Sequence, residues 1–273
     1  MAKRSVQPLL KQFHQGFVVC ERPRTKNLLI GDPFKIIGNA VIAAAQHNTL
    51  MKRISPYVKS NVERFVEFLK ILKTRNIPLI YASSSSVYGI NKKDPFSESD
   101  RVDQPASQNA ATNRETETLA HVYWNMYKLR SIGLCFVTVY GPMRRPDMAY
   151  YSFTKNISEG NPITVFNHGD MLRDFTYIDD IVDGVVNTLD FPFDCEILNL
   201  GHGQPQHLMT FIRAIEKEVG EKANINFKEM SKGDVFKTYA DVNKARRLLV
   251  YNPKVALKDG IEKCVAWYKS ASI

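Results

Sequence analysis

No apolar run in the sequence approaches the ~20 residues that a membrane-crossing helix needs, so membrane insertion is not expected. Four cysteines (Cys20, Cys135, Cys195, Cys264) are scattered without CxxC spacing. Cys135 and Cys264 lie among apolar neighbours, which suits reduced, buried thiols in a reducing cytosol rather than disulfides. A zinc site needs clustered ligands, and His202 and His207 alone do not supply one, so no metal is expected. The opening MAKRSVQPLLKQFHQG is basic but has no apolar stretch before a small-residue cleavage site, so no secretory signal is expected. Glycine is scarce where a phosphate-binding turn would use it. Gly16, Gly31 and Gly38 are too far apart for a GxGxxG turn, which presents helix N-terminal amides to a pyrophosphate. No convincing βαβ unit opens the chain, and residues 1–38 read as atypical, with a weak strand signal at 27–30.

What is present is ordinary for a globular protein: 44% hydrophobic and 24% charged residues, enough to bury a sizeable core. A length of 273 residues suits one generous α/β domain or a domain with a smaller lobe. The net charge of +9 suits an anionic partner such as a phosphate or nucleotide. The basic residues read as dispersed and do not interleave with aromatics, which argues against a nucleic-acid surface. A solvated basic face and an anionic small-molecule site stay open as readings.

From residue 40 onward, apolar runs alternate with amphipathic stretches. Residues 39–45 read as a strand. Within 56–73, Val58, Val62, Phe65, Val66, Leu69 and Leu72 recur at helical spacing. A buried strand follows at 77–82, ending in four serines at 83–86. After a loop at 91–107 come a helix at 110–130 and a strand at 134–139. Helical crossovers between strands imply a parallel sheet covered on both faces, with ligands beyond the carboxyl ends of the strands. The serine run and Thr138 fall at that edge. Further elements are expected as a helix at 151–159, a strand at 163–166, a helix at 178–189, a strand at 196–200, and helices at 208–219 and 257–269. The reading is a Rossmann-like doubly wound parallel sheet over 1–141, lacking its first unit, and a smaller α/β lobe over 142–273, with elements free to cross between them.

Three blocks carry a family resemblance. The segment YASSSSVYG (81–89) resembles the catalytic-serine segment of nucleotide-sugar epimerases and dehydratases. TVYGPMRRPDM (138–148) and RDFTYIDDIV (173–182) are similar to blocks of UDP-glucuronate 4-epimerases, extended short-chain dehydrogenases/reductases. The resemblance implies inversion at C4 of the sugar: a tyrosinate takes the hydroxyl proton while a hydride passes to NAD and returns to the opposite face. A lysine four residues later lowers the tyrosine pKa, and a hydroxyl bridges tyrosine and sugar. The family segment PxSxYAATKxxxE falls on PASQNAATNRETE (105–117), which puts Asn109 at the tyrosine and Asn113 at the lysine. A neutral amide is no base near neutral pH, so turnover is expected to be lost.

On the same resemblance, Ser84 matches the bridging hydroxyl, and Ser85, Ser86 and Thr138 match contacts to the sugar carboxylate. Arg145 and Arg173 match the substrate side, Phe166 lies in the strand beside the uracil, and Asp234 matches a nucleotide contact. A self-satisfied turn for the serines, surface ion pairs for the arginines and plain core for the 163–166 strand are the competing readings. Ala44 and Gln46 resemble the loop along the dinucleotide. Cys135 replaces a family arginine, Met143 and Arg144 replace tryptophan and glycine, and Asn61 is expected to brace backbone. Tyr88 with Lys92, and Tyr151 with Lys155, repeat the dyad spacing, which arises often by chance. The implied protein is cytoplasmic, binds a UDP-sugar but not NAD, and pairs as a homo- or heterodimer through the helices at 56–73 and 110–130. Its readings are a homologue without turnover, a non-catalytic UDP-sugar-binding or hetero-pairing protein, and an active epimerase with displaced groups.

Overall fold

The computed structural model describes residues 16–19, 36–38, 56–143, 148–230 and 236–271. The strand expected at 39–45 lies outside these residues, as do Ala44, Gln46, Arg145 and Asp234. Two short strands come first, β1 (Gly16–Val19) and β2 (Ile36–Gly38). A wide π-helical turn, Val58–Glu63, leads into α1 (Arg64–Arg75). Its Phe65, Leu69 and Leu72 recur every three or four residues and are buried, giving the helix one core face. It stops at Asn76, which takes the left-handed conformation (φ 50°) common beyond helix ends.

β3 (Leu79–Ser84) begins just after Pro78. Proline has no N–H for the ladder, whereas the Leu79 N–H donates to the Arg130 carbonyl at 2.9 Å. A 3-10 turn, Ser85–Tyr88, follows, then α2 (Gln108–Tyr127). Ser107 caps α2, its Oγ accepting the Ala110 N–H at 3.1 Å. β4 (Ser131–Phe136) starts three residues before its apolar run. Ser131 and Gly133 hide that start, since small residues sit where a larger one would collide: a Cβ on Gly133 would lie 2.7 Å from the Tyr81 hydroxyl.

The remaining elements are β5 (Val139–Tyr140), α3 (Ala149–Ser158), β6 (Ile163–Phe166), β7 (Leu172–Arg173), β8 (Thr176–Tyr177), α4 (Ile178–Thr188), β9 (Cys195–Leu200), β10 (Gln206–His207), α5 (Leu208–Val219), β11 (Ile225–Lys228), β12 (Lys237–Thr238), α6 (Asn243–Leu249) and α7 (Leu257–Ala271).

The main sheet has the order β2-β1-β3-β4-β9. β3, β4 and β9 are parallel, with Tyr81, Gly133 and Ile197 in one row, as a Rossmann-like fold requires. β1 departs from that pattern and runs antiparallel to both β2 and β3, pairing Phe17 with Tyr81 and Val19 with Leu79. Alternation along the strands divides the core. On one face, Leu79 and Tyr81 pack with Phe65, Leu69 and Leu72 of α1 and Ala120 of α2. On the other, Ile80, Ile132, Leu134, Leu198 and Leu200 pack with Ile181, Val182 and Val185 of α4 and Leu249 of α6. The parallel strands β3, β4 and β9 are therefore covered on both sides. A separate core, centred on Tyr140, Phe153, Phe175, Phe211 and Ile261, joins α3, α5 and α7.

Candidate functional site

The serine run stands at the carboxyl edge of β3. Ser84 is extended (φ −142°, ψ 141°), and its Oγ accepts the Ser86 N–H at 3.2 Å, which turns the chain into the 3-10 segment. The Ser86 hydroxyl donates to the same oxygen at 3.0 Å. Asn109 and Asn113 lie four residues apart on one face of α2. The Asn113 amide donates to the Asn109 carbonyl at 2.9 Å and to Asn109 Oδ1 at 3.1 Å. Asn109 Nδ2 in turn reaches Ser86 Oγ at 3.5 Å. Helix and strand end are thus joined in one hydrogen-bonded chain, and neither amide in it can accept a proton near neutral pH.

One turn further along α2, Glu117 is buried. Its Oε1 accepts from the Ser83 hydroxyl at 2.5 Å and the Cys135 thiol at 3.4 Å, and its Oε2 accepts from Arg114 Nη1 at 2.9 Å. The position that the resemblance gives to an arginine holds Cys135, and the cation beside Glu117 is Arg114, on the helix. Burial, then the Glu117 charge, pushes the Cys135 thiol well up. It is a protonated, inert thiol. Ser83, Arg114 and Glu117 form a cluster that the sequence reading did not assign. The i, i+3 spacing of Arg114 and Glu117 was a legible signal, but meeting Ser83 and Cys135 depends on strand register.

The other expected residues distribute as follows. Ser85 opens the 3-10 turn. Thr138 follows β4 at the same sheet edge, half-buried, its carbonyl accepting the Thr176 N–H at 2.9 Å. Phe166 closes β6 and is exposed. Arg173 lies in β7, with Nη1 donating to the Leu172 carbonyl at 2.9 Å and the Phe236 carbonyl at 3.1 Å. Asp174 beside it is fully buried and faces the backbone N–H groups of His202 (3.1 Å) and Gly203 (3.0 Å). Burial is the main cause that raises its pKa. Asn61 Nδ2 donates to Thr112 Oγ1 at 3.0 Å, so it braces a side chain of α2 rather than backbone.

The Tyr88–Lys92 pair does not take shape as a dyad. The Tyr88 hydroxyl is buried and donates to Asn199 Oδ1 at 2.7 Å, and burial pushes its pKa up, away from an ionised base. Asn199 is itself fully buried, its N–H held by Glu98 Oε1 at 2.9 Å. Tyr151 sits in α3, edge-on to Tyr268 at 5.7 Å. Among the described residues no group of three or more His, Cys, Asp or Glu could hold a metal ion, and no helix is long and apolar enough to cross a membrane.

The direction of β1 bears on what the sheet edge can hold. A dinucleotide crevice needs neighbouring strands that both end at the carboxyl edge, each followed by a loop and a helix N-terminus facing the phosphates. β1 enters at that edge and leaves at the opposite one. Among the described residues, the neighbour of β3 therefore brings no helix N-terminus to that edge, and they form no dinucleotide cradle there.

Comparison with known proteins supplies the kinship of this arrangement. A model of the NAD dependent epimerase/dehydratase family matches residues 13–201. An uncharacterized protein of Methanocaldococcus jannaschii is 49% identical over 213 residues, which is 78% of this chain and 65% of that relative. UDP-glucuronate 4-epimerase 4 of Arabidopsis thaliana is 41% identical over 98% of this chain and 66% of its own length. The chain thus spans about two thirds of the length of these relatives. Among solved structures, UDP-glucuronic acid 4-epimerase from Bacillus cereus in complex with UDP-glucuronic acid and NAD superposes with a TM-score of 0.75 at 36% identity, covering 80% of this chain and 69% of that one.

Proposed function

We propose, on the premise that this chain belongs to the NAD dependent epimerase/dehydratase family, that it is a UDP-glucuronate 4-epimerase homologue that binds a nucleotide sugar without turning it over. The observation that carries this reading is the pair of amides, Asn109 and Asn113, closed onto the serine run at the position of the family's base and its cation. General-base catalysis is worth ~10²–10⁴-fold, and an amide provides none of it. The reversed β1 supports a second deficit: the described residues form no cradle for NAD, and without bound NAD there is no hydride acceptor. On this reading NAD, present in the Bacillus cereus structure, is not bound by this chain.

The binding side rests on different residues. Ser84, Ser85, Ser86 and Thr138 are proposed to face the sugar, with Arg173, Arg145, Phe166 and Asp234 on the nucleotide side. Guanidinium forks suit diphosphate oxygens. The ligand reading favours a UDP-sugar, the setting a cytoplasmic step of polysaccharide biosynthesis, and the division into lobes near residue 141 with β9 crossing back into the main sheet. A homodimer, or pairing with an intact paralogue, is proposed through α1 and α2, whose Ile71, Val122 and Met126 are exposed.

The test is incubation with UDP-glucuronate and NAD followed by chromatographic separation of the sugar nucleotides. No UDP-galacturonate is expected. Its formation, dependent on added protein, overturns the proposal.

A further inference from the structure

The chain of side chains that replaces the dyad has a direction, and main-chain groups of fixed polarity set it at both ends. At the helix end, the Asn109 carbonyl can only accept, so the Asn113 group 2.9 Å from it is the amide nitrogen. That nitrogen also reaches Asn109 Oδ1 at 3.1 Å, which turns the other half of the Asn109 amide, its NH₂, toward Ser86 Oγ. At the strand end, the Ser86 N–H can only donate, so Ser84 Oγ accepts it. The Ser86 hydroxyl, accepting a hydrogen bond from the Asn109 amide, donates its own to the same Ser84 oxygen at 3.0 Å. Both lone pairs of Ser84 Oγ are then engaged. Its remaining polar capacity is a single O–H, on a half-buried residue at the sheet edge.

We infer that Asn113, Asn109 and Ser86 form a one-way relay that holds Ser84 as a hydrogen-bond donor, and that the relay selects ligands presenting an acceptor-only carbonyl oxygen to Ser84 over ligands presenting a hydroxyl there. Asn109 and Asn113 are then positioning residues for recognition rather than mere gaps. This rests on the reading that a UDP-sugar occupies the site. A hydroxyl placed against Ser84 accepts its proton but must find a second partner for its own, whereas an sp² oxygen is satisfied by donation alone. Leaving a polar group without its partner is what separates closely similar ligands.

Calorimetric titration of the whole chain with UDP, UDP-glucose, UDP-glucuronate and a UDP-4-keto-6-deoxyhexose tests this. The wild type is expected to bind the keto sugar about tenfold more tightly than UDP-glucose, while UDP-glucuronate, which keeps the C4 hydroxyl, reports the carboxylate contacts separately. Asn109→Asp keeps the shape but accepts from both Asn113 and Ser86, which reverses the relay and frees a lone pair on Ser84. Ser84→Ala removes the donor with no change of charge. In both, the preference over UDP-glucose is expected to fall to about one, with melting curves confirming the fold. If UDP binds but the wild type shows no preference, or either folded variant retains it, the relay inference fails and the nucleotide-sugar reading stands. If the wild type binds none of the four, that reading fails and the relay with it.

Discussion

Arg114 is the residue on which the inner side of the site depends. Glu117 is buried beneath α2 with three donors, of which Arg114 alone is a cation. Removing one member of such a pair leaves a charge without compensation, and the cost for a fully buried pair runs to several kcal/mol. Arg114 is partly exposed, which allows water to replace some of its effect. Arg114→Ala is expected to lower stability by about 2 kcal/mol, and Arg114→Lys by less, read from urea midpoints. An alanine variant as stable as the wild type would show that Glu117 is held by its neutral partners. Asn109 and Asn113 were legible in the sequence because a thirteen-residue family segment fixes their register. The Arg114–Glu117–Cys135 cluster was not, because it needs the parallel alignment of β3 with β4 to bring Cys135 beneath the helix.

Among the elements, the long amphipathic helices were legible and the edges of strands were not. α5 and β6 fall where apolar spacing places them, at Leu208–Val219 and Ile163–Phe166. The start of β4 was missed because Ser131 and Gly133 carry no apolar signal, although the sheet buries them. The π-helical entry to α1 was missed because spacing alone does not separate a wide turn from a regular one. Two-residue strands such as β5, β8, β10 and β12 are too short for any period to register. The 3-10 turn after the serines depends on Gly89, whose φ of 56° and ψ of −126° suit no other residue. A Cβ there would meet the Gln104 carbonyl oxygen and lie 2.8 Å from its carbon. Gly89→Ala is expected to cost about 3 kcal/mol or more, measured by thermal and urea unfolding. A neutral effect would mean that the 91–107 loop can shift as a unit.

At the scale of the molecule, the excess of positive charge belongs to one region. Residues 1–55 carry nine Lys and Arg against two Asp and Glu, and the remaining 218 residues are nearly balanced, 28 against 26. The basic residues are therefore less evenly dispersed than the sequence reading held. On the proposed reading, residues 56–273 attract an anionic nucleotide through placed groups such as Arg173 and not through their net charge. The architecture also separates two deficits. The double variant Asn109→Tyr, Asn113→Lys restores a phenol and its amine, yet it is expected to form no UDP-galacturonate with NAD present, and NAD is expected to leave its melting temperature unchanged. Turnover by this variant would show that the sheet edge accepts a dinucleotide despite the direction of β1.

The two deficits differ in how they could be undone. A pair of point mutations can put back the missing functional groups on α2, because the helix still points them at the serines. No point mutation turns a strand end for end, since reversing β1 would require the chain to re-enter the sheet from the other side and acquire a crossover. On the proposed reading, the orientation of four residues between β2 and β3 acts as a ratchet, closing the way back to the relatives' chemistry while leaving later changes to the binding face open.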